Sequence, residues 1–146
     1  MVRTQTRVML PKPAKSNLPV PSSLELALAA AETAEDNRGR DLVILDMREI
    51  SPMCDYFVIA TGTSRRQLHA MSEAIDDRLG KEMGDERLGI EGYRESRWIL
   101  LDYGNVMIHL FDSEMRGYYA LENLWGEAPQ VPRPARPRLA KESVAE

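Results

Sequence analysis

The sequence predicts an α/β fold in which a single mixed β-sheet is covered by helices. Two observations support this prediction. Short apolar runs typical of strands alternate with longer segments whose apolar residues recur at helical spacing. In addition, the stretch Trp98–Phe111 contains two apolar runs joined by Gly104-Asn105, which is the pattern of a β-hairpin. A chain of 146 residues is long enough for one such domain.

Prolines and glycines mark the limits of the folded unit. Of the nine prolines, only Pro52 lies well inside it, whereas all nine glycines do. We therefore predict a folded unit at about residues 22–126. A flexible basic tail is predicted at residues 1–21, and a flexible Pro-rich tail at residues 127–146.

The first elements are predicted to be a helix and two strands. Ser22 and Glu25 have the spacing of a capping box, so the Ala/Leu-rich segment from Leu24 to about Arg38 is predicted to be helical. Strands are predicted at Leu42–Met47 and Tyr56–Ala60. Both strands are nearly continuous apolar runs, which indicates burial on both faces of the sheet.

The remaining elements surround the hairpin. A second helix is predicted from Ser64 to about Met83, because apolar residues recur there at helical spacing and Gln67 completes a second capping box. A glycine-rich link follows, with a short strand near Ile90. After the hairpin, a last helix is predicted from Glu114 to Trp125.

The two-residue turn fixes the register of the hairpin, so that Trp98 pairs with Phe111 and Leu100 with His109. Alternation of side chains then separates two faces. The face predicted to be core carries Ile99, Leu101, Val106, Ile108 and Leu110, with Tyr103 at its turn end. The opposite face carries Trp98, Leu100, Asp102, Met107, His109 and Phe111. Because this second face mixes aromatic, acidic and imidazole groups, we predict that it is either covered by polar-tolerant structure or docks a partner.

Charge limits the classes of partner. Residues 22–126 hold 11 Lys/Arg and 20 Asp/Glu, a net charge of −9. A domain this acidic is a poor nucleic-acid binder and a better partner for a basic protein, although plain solubility explains the charge equally well. No apolar run approaches the ~20 residues needed to span a membrane. Cys54 is the single cysteine, so an intramolecular disulfide is excluded and a reducing, cytoplasmic setting is expected.

Three patterns raise the question of catalysis or ligand binding. The turn at Thr61–Arg66 opens a helix and has two arginines, but it lacks a full phosphate-loop pattern and is more typical of an ordinary N-capped turn. Asp102 and His109 share a hairpin face but lie roughly 7 Å apart, so we interpret His109 as a structural or interface histidine. The chain has two histidines, and no metal site or cofactor is predicted.

Five stretches of the sequence carry a family resemblance. They are D-L-V-I-L-D-M at 41–47, C-D-Y-F-V-I-A-T-G-T-S-R-R-Q at 54–67, E-G-Y at 91–93, W-I-L-L-D-Y-G-N-V-M-I-H-L-F at 98–111 and R-G-Y-Y-A-L-E-N-L-W at 116–125. The sequence resembles the ribosomal silencing factor family RsfS, also called the Iojap family. The resemblance covers the predicted folded unit in order and with compatible spacing, and leaves the tails outside it.

This resemblance implies a fold and a function. The fold is expected to have nucleotidyltransferase-like topology, without the Asp-x-Asp strand that holds metal and nucleotide in those enzymes. Members are expected to bind the large ribosomal subunit through ribosomal protein L fourteen. They thereby block association with the small subunit and repress translation under nutrient limitation. No catalysis and no cofactor are implied.

The resemblance also implies a contact surface for ribosomal protein L fourteen. By motif position, Trp98, Tyr103 and His109 match that surface, and Asp102 and Gly104 lie in the same motif. The hairpin register places Tyr103 on the face opposite Trp98 and His109. Tyr103 is therefore expected either to be exposed at the end of the hairpin or to pack in the core.

Three further possibilities stay open from the sequence: an enzymatic activity, an RNA contact and self-association. The first is a nucleotidyltransferase-like, nucleotide-binding enzyme that uses the turn at Thr61–Arg66. The second is contact between ribosomal RNA and the basic tails, which salt dependence would reveal. The third is a homodimer, which the apolar hairpin face and the aromatic last helix allow.

Overall fold

A computed structural model of the chain describes residues 21–119 and 126–133. The helices are α1 (Ser23–Asp36), α2 (Arg65–Asp76) and α3 (Ser113–Tyr119), and a π-helical turn (Asp77–Glu82) extends α2. The strands are β1 (Arg40–Asp46), β2 (Tyr56–Gly62), β3 (Gly89–Glu91), β4 (Trp98–Asp102) and β5 (Val106–Asp112). Every described helix is too short or too polar to traverse a lipid bilayer.

The strands form one mixed sheet in the order β1-β2-β5-β4-β3. The central pair, β2 and β5, is parallel, whereas the other three pairs are antiparallel. The predicted α/β class with a single mixed sheet is therefore confirmed. The predicted hairpin register is also confirmed, because Trp98 pairs with Phe111 and Asp102 with Met107.

Helix α1 begins where the sequence predicts. The Ser22 side chain accepts a hydrogen bond from the Glu25 N–H, and the Glu25 carboxylate accepts one from the Ser22 N–H, so the capping box is complete. Alanines line the buried side of the helix and let it approach the sheet closely. Helices α1 and α2 pack on the same face of the sheet and bury one side of every long strand.

Helix α2 differs from the prediction at its end. We predicted a continuous helix to about Met83, but the α-helix ends at Asp76 and a π-helical turn follows. In this wider turn Leu79 is fully buried, and Arg78 reaches the Glu32 carboxylate on α1 at 3.0 Å. Packing against α1 decides the local geometry here, which the helical spacing of the sequence does not reveal.

Helix α3 follows β5 directly. The Asp112 carboxylate accepts a hydrogen bond from the Met115 N–H at 2.8 Å, as an N-cap does. The helix is described to Tyr119, and the rest of the predicted helix, residues 120–125, lies outside the described residues.

The segment 128–133 packs on the outer edge of β1. Gln130 forms a bridge with Leu45, and the N–H of Val131 donates to the carbonyl of Ile44 at 2.8 Å. Ala128 is buried, and Arg133 forms an ion pair with Glu35 of α1. The boundary that we predicted at residue 126 therefore falls short of the packed segment, because backbone hydrogen bonds hold a stretch whose composition is typical of a tail.

Candidate partner-binding face

The sheet has one face that the long helices do not cover. Short helix α3 and Ala128 cover its end near Leu45 and Phe111. Next to them lie side chains that are only partly buried around one buried imidazole. We call this set the docking face, and it consists of Phe57, Trp98, Leu100, Met107 and His109.

The aromatic rings of this face are in mutual contact. The Trp98 indole N–H donates to Nδ1 of His109 at 3.2 Å. The Phe57 and His109 ring centroids are 4.7 Å apart, and those of Trp98 and Phe111 are 4.9 Å apart. Since these rings sit on three adjacent strands, the sheet holds them as a rigid apolar surface.

The hydrogen bond from Trp98 determines the tautomer of His109. Because Nδ1 accepts a hydrogen bond from the indole N–H, a neutral imidazole must carry its own proton on Nε2. Burial lowers the pKa of His109 to about 3, so the ring is neutral near pH 7. Among the described residues, no group accepts a hydrogen bond from Nε2. The docking face thus contains one donor that lacks an acceptor within this part of the protein.

Asp102 and Gly104 shape the turn at the end of the hairpin. The Asp102 carboxylate accepts a hydrogen bond from the Gly104 N–H at 2.8 Å and is buried. Gly104 has a φ of +87°, which a residue with a side chain rarely adopts. Asp102 and His109 share a face of the hairpin but belong to different register pairs, Asp102 with Met107 and Leu100 with His109, as predicted.

Tyr103 lies in the core, which settles the question left open by the sequence. Its side chain is 2% exposed and belongs to the helix-covered side of the sheet. The hydroxyl donates to Oδ1 of Asp76 at 2.6 Å, and Arg87 pairs with Oδ2 of the same carboxylate. Burial first, and then this hydrogen bond, raises the pKa of Tyr103. The expected direct contact of Tyr103 with a partner does not fit this placement, because its ring faces the helices.

The loop before β4 positions Trp98. Gly92 has a φ of +77°, and a Cβ atom added there would lie 2.1 Å from the carbonyl oxygen of Trp98. Arg97 forms ion pairs with Asp112 and Glu114, at 3.2 and 2.6 Å. The start of β4 is therefore held from both sides, so the indole has a defined position on the docking face.

Phe57 is the member of this face that the sequence did not reveal. It lies on β2, and its neighbour in the register is Met107 on β5. The apolar run of β2 is continuous, so it does not show which residues face the helices. The parallel pairing with β5 places Phe57 beside Met107 and so on the docking face, and this pairing cannot be read from the sequence.

The other candidate chemical groups do not converge on a site. Cys54 is buried, and its thiol donates to the carbonyl of Tyr56. At the turn after β2, the Ser64 hydroxyl accepts a hydrogen bond from the Gln67 N–H, as an ordinary N-cap does. Across residues 21–119 and 126–133, no three His, Cys, Asp or Glu side chains form a set that could hold a metal ion.

Comparison with known proteins gives consistent matches. The family model described as "Ribosomal silencing factor during starvation" matches residues 20–146. The chain is 38% identical over 110 residues to the ribosomal silencing factor RsfS of Halalkalibacterium halodurans, covering 75% of this chain and 93% of that protein. It is 43% identical over 100 residues to RsfS of Bacillus subtilis, covering 68% of this chain and 84% of that protein.

A solved structure agrees with the fold. The crystal structure of a protein from Chromobacterium violaceum is similar with a TM-score of 0.70 at 32% sequence identity. The similarity covers 82% of this chain and 93% of that chain.

Proposed function

Because the chain belongs to the family of ribosomal silencing factors, RsfS, we propose that it binds the large ribosomal subunit through ribosomal protein L fourteen. In this position it sterically blocks association with the small subunit and represses translation under nutrient limitation. The role is regulatory and needs no catalysis or cofactor. A ribosome-bound repressor of this kind acts in the cytoplasm.

The observation that carries the proposal is the docking face. Trp98 and Phe57 are large aromatic side chains that remain partly exposed on a rigid sheet. Tryptophan is among the residues that most often dominate the binding energy of protein interfaces. A partly exposed aromatic surface on a sheet favours a protein partner.

The buried donor of His109 supports a polar contact at the centre of this surface. An unsatisfied buried N–H costs about 1–3 kcal/mol, which is recovered when a partner brings an acceptor. A backbone carbonyl or carboxylate of the ribosomal protein is a suitable acceptor once the rings around His109 adjust. In this scheme Asp102 and Gly104 set the shape of the turn. Tyr103 positions the hairpin from below through Asp76.

Charge favours the same type of partner. The segment 22–126 has a net charge of −9. An acidic domain attracts a basic ribosomal protein over a long range and orients the encounter. The basic tails add contacts with ribosomal RNA in this proposal. Self-association as a homodimer stays a prediction.

Co-sedimentation with purified ribosomal particles tests the proposal. The protein is mixed with large subunits, small subunits and joined ribosomes. We expect it to pellet with large subunits alone and to prevent their joining when small subunits are added. Binding to small subunits, or binding to large subunits that leaves joining unaffected, would contradict the proposed mechanism.

A nucleotidyltransferase-like enzyme is not favoured as an alternative. The relatives from Halalkalibacterium halodurans and Bacillus subtilis are named as silencing factors, and the sequence lacks an Asp-x-Asp strand after the second helix. Titration of ATP with Mg²⁺ would reveal such an activity as a rise in melting temperature. We expect no rise.

A further inference from the structure

Five arginines differ from the other basic residues of the described structure. They are Arg38, Arg40, Arg65, Arg66 and Arg94, and we call them the arginine patch. All five are exposed, and in the described part of the chain none forms an ion pair. By contrast, carboxylates pair with six of the other described Arg and Lys side chains, namely Arg48, Arg78, Lys81, Arg87, Arg97 and Arg133. Buried Arg116 donates to the Thr61 hydroxyl.

The fold brings these five residues to one end of the sheet. Arg40 opens β1 and pairs with Thr61 near the end of β2. The Gln67 side chain donates to the carbonyl of Arg38 at 2.8 Å. The Arg65 guanidinium donates to the carbonyl of Arg94. Three segments that are distant in the sequence therefore meet where β2 ends and α2 begins.

The position of two of these arginines is unfavourable for the isolated helix. The N-terminus of a helix carries a positive partial charge and is stabilised by acidic residues. Helix α1 follows this rule with Glu25, but α2 begins with Arg65 and Arg66 and has no acidic residue in its first turn. Arg65 and Arg66 therefore add to the positive potential at the start of α2, which favours an anion there over a cation.

We infer that the arginine patch binds the phosphate backbone of structured RNA. This inference rests on the proposed ribosomal function and adds a contact on the folded domain, separate from the basic tails. Guanidinium groups are suited to phosphate oxygens because they donate two parallel hydrogen bonds. Asp41 and Glu95 are neighbours in the sequence, but neither forms an ion pair with the patch.

A membrane surface is a less suitable polyanion. The large apolar side chains that are exposed in the described structure are Leu24 and Leu88, and neither belongs to the segments that form the patch. An anionic lipid surface is also wide, so it would be repelled by the net negative charge of the domain around the patch. An RNA helix is narrow enough to contact the patch without contacting the acidic surface around it. The patch lies at the end of β2 opposite to Phe57 of the docking face.

The test compares three double variants that each remove two positive charges. R65Q/R66Q alters the patch. R48Q/K81Q is the matched control, because Arg48 and Lys81 are exposed and paired with Asp46 and Asp77. R38Q/R40Q provides a second patch variant away from the helix start. Circular dichroism verifies that each variant is folded.

Binding is measured at several salt concentrations to a fluorescent A-form RNA hairpin and to large ribosomal subunits. The logarithm of the binding constant falls linearly as the logarithm of the salt concentration rises. For R65Q/R66Q we expect this slope to be less steep than that of the wild type by about 1.8, at ~0.9 per lost phosphate contact. The affinity difference from the wild type then narrows about tenfold between 50 and 200 mM salt. We expect R48Q/K81Q to keep the wild-type slope.

Binding to isolated ribosomal protein L fourteen separates this inference from the proposed function. Unchanged binding of R65Q/R66Q to that protein, together with the reduced slope on RNA, supports the patch. If the wild type binds the hairpin through the patch but not the ribosomal protein, the proposed docking fails and the patch stands. Equal losses in R65Q/R66Q and R48Q/K81Q, absence of hairpin binding, or preference for phosphatidylserine vesicles over the hairpin would each overturn the inference.

Discussion

At the residue scale, His109 links the stability of the domain to pH. Its folded-state pKa is about 3, whereas a histidine in an unfolded chain has a pKa of about 6.5. Between these values the unfolded chain takes up a proton that the folded protein excludes. The free energy of unfolding therefore falls as the pH drops below about 6.5, and it is unaffected by this group above that value.

We expect this histidine to contribute about 2 kcal/mol to the loss of stability between pH 7 and pH 5. Urea unfolding of the wild type and H109F at both pH values measures it. The phenylalanine cannot take up a proton, so the stability of H109F should depend less on pH. H69Q keeps His109 and is the control, with a pH dependence that retains this contribution. An identical pH dependence in H109F and the wild type would contradict this, because it would mean that His109 takes up a proton equally readily in the folded and unfolded states.

Trp98 is the residue on which we expect partner binding to depend most. W98A should weaken binding to large subunits by about 2 kcal/mol or more, because it removes a partly exposed aromatic anchor from the docking face. L24A is the matched control, since Leu24 is an exposed apolar residue on the helix-covered side. Equal affinity of W98A and the wild type, with both proteins folded by circular dichroism, would exclude this site.

Gly92 is a position where any side chain is expected to disturb the site. An added Cβ would meet the Trp98 carbonyl oxygen at 2.1 Å in a backbone conformation with φ of +77°. We expect G92A to lower the free energy of unfolding by about 3 kcal/mol or more. G89A is the control, because nothing lies within 4 Å of its added Cβ. Thermal unfolding of both variants provides the comparison, and similar melting temperatures would contradict the clash.

At the element scale, the segment 128–133 completes the edge of the sheet. The Asp46 N–H donates to the carbonyl of Pro129 at 2.8 Å, and Val131 donates to Ile44. An open edge strand invites pairing with other chains. The segment therefore protects β1 and also contributes Ala128 to the apolar cluster that adjoins the docking face.

Two truncations test the role of this segment. A chain ending at Glu127 should lose about 2 kcal/mol of unfolding free energy, because two backbone hydrogen bonds and the burial of Ala128 are removed. The amide of Asp46 should then exchange rapidly with deuterium. A chain ending at Arg133 is the control and should keep the protection. Slow exchange at Asp46 in both chains would mean that the segment does not pair in solution.

Local chemistry made several elements predictable. Gly104-Asn105 determines the hairpin register, and the hydrogen bonds of Ser22 and Ser64 fix the starts of two helices. The π-helical turn was not predictable because it depends on packing against α1. The strand-like segment near Gln130 was not predictable either, since backbone hydrogen bonds can hold almost any sequence. Prediction therefore succeeded where neighbouring residues decide the structure.

The residues of the candidate sites were also predictable only where they are close together in the sequence. Trp98 and His109 could be assigned to one face because they share a hairpin. Phe57 joins them only through the parallel pairing of β2 with β5, which spans a long interval of sequence. The arginine patch likewise combines three separate segments. The placement of Tyr103 needed the structure, because a residue beside a turn can be exposed or buried without a change in register.

At the scale of the whole molecule, charge is unevenly distributed. The predicted folded unit is acidic, with a net charge of −9, while its unpaired arginines gather at one end of the sheet. Under the proposed function, this distribution orients the molecule on a ribosomal surface that presents both a basic protein and RNA. The docking face and the arginine patch can then engage different chemical groups in one encounter.

This distribution predicts how salt affects association. Between 50 and 200 mM salt, we expect the association rate with purified ribosomal protein L fourteen to fall several-fold, while the dissociation rate changes little. Stopped-flow measurement of the tryptophan fluorescence, to which Trp98 and Trp125 both contribute, gives both rates. W98A, followed with a labelled partner, should instead dissociate faster and keep the salt dependence of association. A salt effect confined to dissociation would contradict electrostatic steering.

The pairing of β1 with the segment near Gln130 has a consequence for synthesis of the protein. Leu45 and Gln130 lie far apart in the chain, and translation proceeds at roughly 5–20 residues per second. The nascent chain therefore exposes the outer edge of β1 for on the order of 4–17 seconds before its partner has been made. The hairpin forms quickly because its contacts are local, but the sheet closes last at its N-terminal edge. The protein is therefore most prone to aggregation during its own synthesis, while the nascent chain is still attached to the ribosome.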